Sequence, residues 1–167
     1  MDEVRLRLIE EKDLPFVQEY ISKKEVADPT NIPHPYPKDG AKEWYEFVIE
    51  EYKKGRHYPF AILCNGEFAG SISVRKDNDR TGALDYWVAI PFWNKGVGTT
   101  AAQKAIGFGV NELGLEKFDT CCLAKNIGSE RILKNNGFKF VEEFEVGKGD
   151  KHEGKIAKLY RLIICNS

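Results

Sequence analysis

The residues best suited to chemistry lie in one run, Tyr86-Trp87-Val88-Ala89-Ile90-Pro91-Phe92-Trp93-Asn94-Lys95-Gly96-Val97-Gly98-Thr99-Thr100-Ala101. It reads as a strand, a glycine turn and the opening of a helix. The first N–H groups of a helix lack intrahelical partners and the helix dipole makes that end positive, so such a turn can cradle an anion. Gly96 and Gly98 let the backbone approach a guest with no Cβ in the way. Lys95 adds charge, and Thr99 and Thr100 add hydroxyl donors. A pyrophosphate suits this chemistry, and a side chain at position 98 is expected to fill the phosphate space. A plain sharp turn would use the same two glycines. Gly96, Gly98 and Ala101 also satisfy G-x-G-x-x-G/A, the dinucleotide fingerprint. The next strand, however, runs out into Lys125 and Asn126, where a nicotinamide-dependent oxidoreductase needs an acid for the ribose. That reading stands second.

The elements that must position this run follow from periodicity. Val4 to Ile9 alternates, with Val4, Leu6 and Leu8 inward and Arg5 and Arg7 outward, as a half-buried strand does. Asp13 and Pro15 suit a helix start, continued by Val17 and Ile21. Four prolines between Ala27 and Gly40 predict a loop over a site. Ala41, Trp44, Tyr45, Val48, Ile49 and Tyr52 form one helical stripe. Tyr58 to Cys64 and Glu67 to Arg75 are β-rich runs joined by Asn65-Gly66, a hairpin turn. Ala83 to Ile90 adds a third strand before Pro91. The helix opened by the glycine turn ends at Gly114, a strand covers Phe118 to Ala124, and a short helix from Ser129 stops at Gly137-Phe138. Lys139 to Val146 and Lys155 to Ile164 close the order β-αα-βββ-α-β-α-ββ, an α+β sandwich in a single domain over residues 1–167.

This order resembles the GNAT superfamily of acyl-CoA-dependent N-acetyltransferases over essentially the whole chain. Trp93-Asn94-Lys95-Gly96-Val97-Gly98 is similar to its Q/R-x-x-G-x-G/A motif, with Trp93 where many members carry Gln or Arg. Tyr86-Trp87, Phe92-Trp93 and Asn126-Ile127-Gly128-Ser129 leading to Leu133 and Gly137-Phe138 resemble the branch containing the Rim-type ribosomal-protein N-terminal acetyltransferases. The resemblance implies that acetyl-CoA is the cosubstrate and that the amides of Lys95 to Thr100 hold its pyrophosphate. Val88 and Ala89 would flank the pantetheine and present an N–H to the thioester oxygen. Asn126 would bond the pantetheine, and Ser129 would stand near the sulfur as a proton donor. Without the resemblance, Asn126 and Ser129 read as an N-cap and an ordinary helix-start hydroxyl.

Amine attack on a thioester needs proton handling at both nitrogen and sulfur. Some family members carry a Glu where this chain has Gly82. Asp85 and Tyr86 are the nearby candidates for the base, and they point to opposite faces of their strand; Tyr86, in parity with Val88, is the better placed. Tyr86 could equally be a core aromatic, and Asp85 a partner for a surface cation. Near neutral pH an α-amine is neutral in hundreds of times more molecules than a lysine amine, so a weak base points to a peptide N-terminus as acceptor. A polyamine, amino acid or antibiotic amine stays open, as does a non-catalytic acyl-CoA binder. The loop bearing Asn31, His34 and Tyr36 resembles the acceptor-covering segment of this branch.

The chain has 167 residues and a net charge of -1, so no global field gathers nucleic acid or a membrane surface. Its apolar runs are short and its start is not a basic-apolar leader, which suits a cytoplasmic protein; a monomer and a homodimer both stay open. Cys64, Cys121, Cys122 and Cys165 lack metal-ligand spacing and read as buried, reduced thiols with no metal. His57 and His152 read as solvated, and Lys148, Lys151, Lys155, Lys158 and Arg161 as a solvated basic face.

Overall fold

The alternating and helical stripes appear in a computed structural model that describes residues 2–164. The elements are β1 (Val4–Leu8), α1 (Leu14–Ile21), α2 (Lys24–Ala27), α3 (Gly40–Lys53), β2 (His57–Cys64), β3 (Glu67–Lys76), β4 (Thr81–Val88), α4 (Val97–Leu113), β5 (Lys117–Leu123), α5 (Ile127–Asn135), β6 (Lys139–Glu145) and β7 (Ile156–Ile163). The short helix α2 was not expected; it precedes the first loop proline, Pro29, which denies a continuing helix its amide donor. Asn65 and Gly66 both take positive φ, as a two-residue hairpin turn requires.

The seven strands form one sheet in the order β1-β2-β3-β4-β5-β7-β6. Every neighbouring pair is antiparallel except β4 and β5. Those two pair only at Thr81 with Lys117 and Gly82 with Phe118, then diverge. Gly82 sits at the junction, where a Cβ would lie 2.7 Å from Leu115 Cδ1 and 2.8 Å from the Arg75 carbonyl oxygen. No carboxylate-bearing residue fits there.

One sheet face, including Leu84, Tyr86 and Val88, packs on Ala101, Ala105 and Leu133 of α4 and α5. Gly109 allows α4 to close on β5, since a Cβ there would lie 2.8 Å from the Phe118 ring. On the other face Ala61, Phe68 and Trp87 meet Val17 and Ile21 of α1 and Ala41 of α3.

Several surface expectations change. Arg7 is half-buried, clamping the buried Asp13 carboxylate through two hydrogen bonds of 2.8 Å while the Glu10 amide donates to the same group. Cys64 and Cys122 are buried but Cys121 is exposed; Cys165 lies outside the described residues. His152 is only 5% exposed, and His57 is half-buried, because both lie against the walls of a cleft rather than on open surface. The basic stretch is not simply solvated either. Arg161 bonds Asp119 at 2.7 Å, Lys158 lies 3.6 Å from Glu130, and Lys151 donates to backbone carbonyls.

Candidate active site

Divergence of β4 from β5 exposes main chain in the middle of the sheet. The Ala89 amide donates to the Ala69 carbonyl at 2.8 Å, which sets the hydrogen-bond phase of the β3–β4 ladder. In an antiparallel ladder only alternate residues face a given neighbour. Leu84, Tyr86 and Val88 therefore turn their amides and carbonyls away from β3, into the splay. Two contacts agree: the Leu84 amide donates to Thr120 Oγ1 of β5 at 3.1 Å, and the Val88 carbonyl accepts from Trp93 Nε1 at 2.7 Å. Past the Thr120 bridge the Tyr86 and Val88 amides form a short strand edge open to an extended guest. Ala89, expected to share that role, has its amide committed to β3.

The glycine turn lies beyond the end of this edge. Asn94 and Gly96 take positive φ, and Gly96 caps α4 with no atom within 4 Å of the position its Cβ would occupy. The amides of Val97, Gly98 and Thr99 are the ones an α-helix leaves free. Thr100 is different, since its amide already donates to the Gly96 carbonyl at 3.1 Å. Lys95 stands exposed with its ammonium 5.9 Å from the centre of the Phe92 ring. Gly98 serves another purpose than the one expected. A Cβ there would point at Ile132 Cδ1, 2.5 Å away, and at Val88 Cγ2, 3.5 Å away, so this glycine lets α5 and β4 close on α4. Trp93 likewise covers the last β4 carbonyl. The Thr99 carbonyl accepts from Asn136 Nδ2 at 3.2 Å, tying α4 to the end of α5.

Across the splay, Asn126 caps α5 by accepting from the Ser129 amide at 3.1 Å. This holds Ser129 on the first turn, where its Oγ lies 2.6 Å from the Tyr86 hydroxyl. Burial pushes the Tyr86 phenol far above its ordinary value, and the Ser129 hydrogen bond only partly opposes the rise. Tyr86 thus keeps its proton at working pH and pairs with Ser129, which does not suit the free base expected. Asp85 points to the opposite face, in an ion pair with Arg75.

That face floors a cleft of about 1200 Å³. Ser71, Ser73, Asp85 and Trp87 lie along its bottom, and Tyr86, Ser129 and Asn126 stand where it reaches the splay. Of the loop residues, Asn31 and Tyr36 line it, and His34, exposed on the same loop, does not. The Tyr36 ring covers the start of α3, where a Cβ on Gly40 would lie 2.6 Å from it.

Sequence reasoning missed the α3 wall, Glu43, Trp44, Phe47 and Glu51. A signal was present, because Phe47 lies off the apolar stripe; in the structure it is 59% exposed. It also missed Thr120 and His57. Burial lowers the His57 imidazole below its usual range, more than nearby Asp85 raises it. No group of three or more His, Cys, Asp or Glu among the described residues could hold a metal ion. No described helix is long and apolar enough to cross a membrane.

Comparison with known proteins bears on the family and the fold. Residues 3–139 match the family model described as an acetyltransferase (GNAT) domain. A Bacillus subtilis (strain 168) protein named "Putative ribosomal N-acetyltransferase YdaF" is 25% identical over 145 residues, 82% of this chain and 78% of its own. Among solved structures, a RimL ribosomal L7/L12 alpha-N-protein acetyltransferase in complex with coenzyme A superposes with a TM-score of 0.85 at 17% identity, covering 96% of this chain and 94% of that one. Spermidine N-acetyltransferase from Vibrio cholerae, in complex with CoA and spermine, gives a TM-score of 0.82 at 16% identity, covering 96% and 95%. With most of its length matched by the family model and its order of elements shared with these structures, the chain belongs to the GNAT acetyltransferase family.

Proposed function

We propose that the protein moves an acetyl group from acetyl-CoA to a peptide N-terminal α-amine by direct attack in a ternary complex. The observation that carries the reading is the β4 edge at Tyr86 and Val88, open in the splay between a helix N-terminus on one side and the cleft on the other. The free amides of Val97 to Thr99 suit a pyrophosphate, with Lys95 adding charge. The edge amides suit an extended pantetheine and, at its end, the thioester oxygen. There a hydrogen bond to the oxygen strengthens as negative charge develops.

The amine nitrogen attacks the thioester carbon from the cleft side, the C–N bond forms, and the C–S bond breaks. One proton must leave nitrogen and one must reach sulfur. The Tyr86–Ser129 pair is suited to relay rather than to ionise. A phenol pushed well above 10 is a weaker acid than an ordinary thiol, which for cysteine is near 8.5, so full transfer of its proton to the leaving thiolate is uphill. A hydroxyl pair can pass one on while receiving another. Asp85, held by Arg75, helps shape the acceptor floor.

Cleft size favours a peptide acceptor, since about 1200 Å³ exceeds the roughly 300–1000 Å³ of ordinary small-ligand sites. Its apolar lining, with Ile32, Trp44, Phe47 and Phe144, suits side chains beyond the amine. A polyamine is the second reading, supported by Glu43, Glu51, Asp77, Asp85 and Asp150 on the same walls. Thiol release from acetyl-CoA separates the two. Peptides with a free α-amine should outpace Nα-blocked lysine peptides and polyamines at pH 7.5. Faster turnover of polyamines would overturn the peptide assignment, and no release with any amine would leave a non-catalytic acyl-CoA binder.

A further inference from the structure

We propose that Lys151 and His152, on the loop between β6 and β7, are positioning residues for the acceptor: they fix segment 27–32 as a rigid wall of the cleft. This inference rests on the acetyltransferase reading above.

Carbonyls on that segment converge on the two side chains across more than a hundred residues of sequence. Lys151 Nζ donates to the carbonyls of Ala27, at 2.7 Å, and Ile32. His152 Nε2 lies 2.6 Å from the carbonyl of Thr30. A carbonyl only accepts, so Nε2 carries the proton and donates. The segment is shaped to offer these oxygens. Thr30 donates from both its amide, at 3.0 Å, and its hydroxyl, at 2.7 Å, to Ala27, and the Ile32 amide donates to the Thr30 hydroxyl at 3.1 Å. On the other side, Asp150 accepts from the His152 backbone amide at 3.0 Å, which fixes the turn that carries the imidazole.

The arrangement is costly for surface adhesion alone. Exposed loop carbonyls are readily satisfied by water, yet here an imidazole is 5% exposed with its Nδ1 buried and unpartnered. An unmet buried polar atom carries a desolvation cost. The cost falls where the cleft wall is built: Thr30, Asn31, Ile32, Asp150 and His152 all line it. The other end of the proline loop is held separately. Gln18 donates to the Pro37 carbonyl at 2.9 Å and accepts from the Ala41 amide at 3.0 Å, leaving the 27–32 half to the β6–β7 loop. None of these residues reaches the β4 edge or the start of α4, so the latch acts on acceptor and not on donor.

The test compares His152→Phe, which keeps a ring but loses the donor, His152→Gln, whose amide nitrogen can replace Nε2, and Lys151→Met. Acceptor KM, kcat, acetyl-CoA affinity by calorimetry and amide exchange at residues 28–34 are measured on each. His152→Phe and Lys151→Met should raise acceptor KM about tenfold or more, leave acetyl-CoA affinity within twofold, and accelerate exchange at 28–34. His152→Gln should recover most of the loss. In an active protein, unchanged acceptor KM despite faster exchange would overturn the proposal and spare the acetyltransferase reading. So would a parallel loss of donor affinity with no recovery in His152→Gln. A wild-type protein that releases no thiol with any amine would end that reading, and the positioning role with it.

Discussion

Replacement of Gly98 separates two roles for one glycine. A Cβ at position 98 would lie 2.5 Å from Ile132 Cδ1, 3.3 Å from Ile132 Cγ1 and 3.5 Å from Val88 Cγ2. Gly98→Ala is relieved by rotating the terminal methyl of Ile132, at about 0.5–1.5 kcal/mol, while alanine returns up to about 1 kcal/mol of helix propensity. The two nearly cancel. Gly98→Val places further carbons against Ile132 and Val88, which methyl rotation cannot clear, so overpacking should cost about 1–3 kcal/mol. In a domain of this size that lowers Tm by about 2–10 °C. Ile132→Ala in the Gly98→Val background should make room, giving a favourable coupling of at least about 1 kcal/mol in a double-mutant cycle. Denaturant unfolding and acetyl-CoA calorimetry on the four proteins supply the data. Additive unfolding energies would refute the packing role. So would a Gly98→Ala protein of normal stability that binds acetyl-CoA more than tenfold more weakly, because its Cβ would then be in the phosphate space.

Three further outcomes are expected. Tyr86→Phe should lower kcat about 10-fold or more with acetyl-CoA affinity unchanged, and kcat of the wild type should show no ionisation of Tyr86 below about pH 10; an unaltered kcat would remove the phenol from the proton relay. Asp13→Asn should cost about 2–4 kcal/mol, since it breaks a two-bond clamp on Arg7. Burial alone would raise the Asp13 carboxyl, but Arg7 and the Glu10 amide outweigh it and hold it low. Its stability contribution is therefore present above the ordinary carboxylate pKa and lost as pH falls through the depressed one. Urea midpoints between pH 6 and 2 should fall less steeply for Asp13→Asn than for wild type, and parallel curves would contradict the clamp. His57 should titrate below about 6.5 by NMR; a higher value would mean that Asp85 outweighs burial.

Much of the fold could be read locally. Alternation marks β1, β-rich composition about Asn65-Gly66 marks β2 and β3, the positive φ of Asn65 and Gly66 bears out the hairpin, and Gly114 and Gly137 end their helices with positive φ. The glycine turn and the capping Asn126 were legible for the same reason: a helix end is built from adjacent residues. Partners distant in sequence were not. Nothing within β7 says that it inserts between β5 and β6, and nothing within β4 or β5 says that they separate after Gly82. The Tyr86–Ser129 contact spans 43 residues, and the His152 contact with Thr30 spans 122. A lone histidine has no periodicity to reveal its burial, so His57 and His152 read as surface residues. Gly98 shows the converse: a motif identified the residue, but only the position of Ile132 shows what the missing side chain makes room for.

Amide exchange on isotope-labelled protein, with and without saturating acetyl-CoA, tests the β4 edge most directly. Tyr86 and Val88 should become strongly protected, together with Val97, Gly98 and Thr99. Ala89, already bonded to Ala69, should be slow in both states and so serves as the internal control. Exchange at Tyr86 and Val88 that stays unprotected while the protein is saturated with acetyl-CoA would contradict the placement of the thioester in the splay.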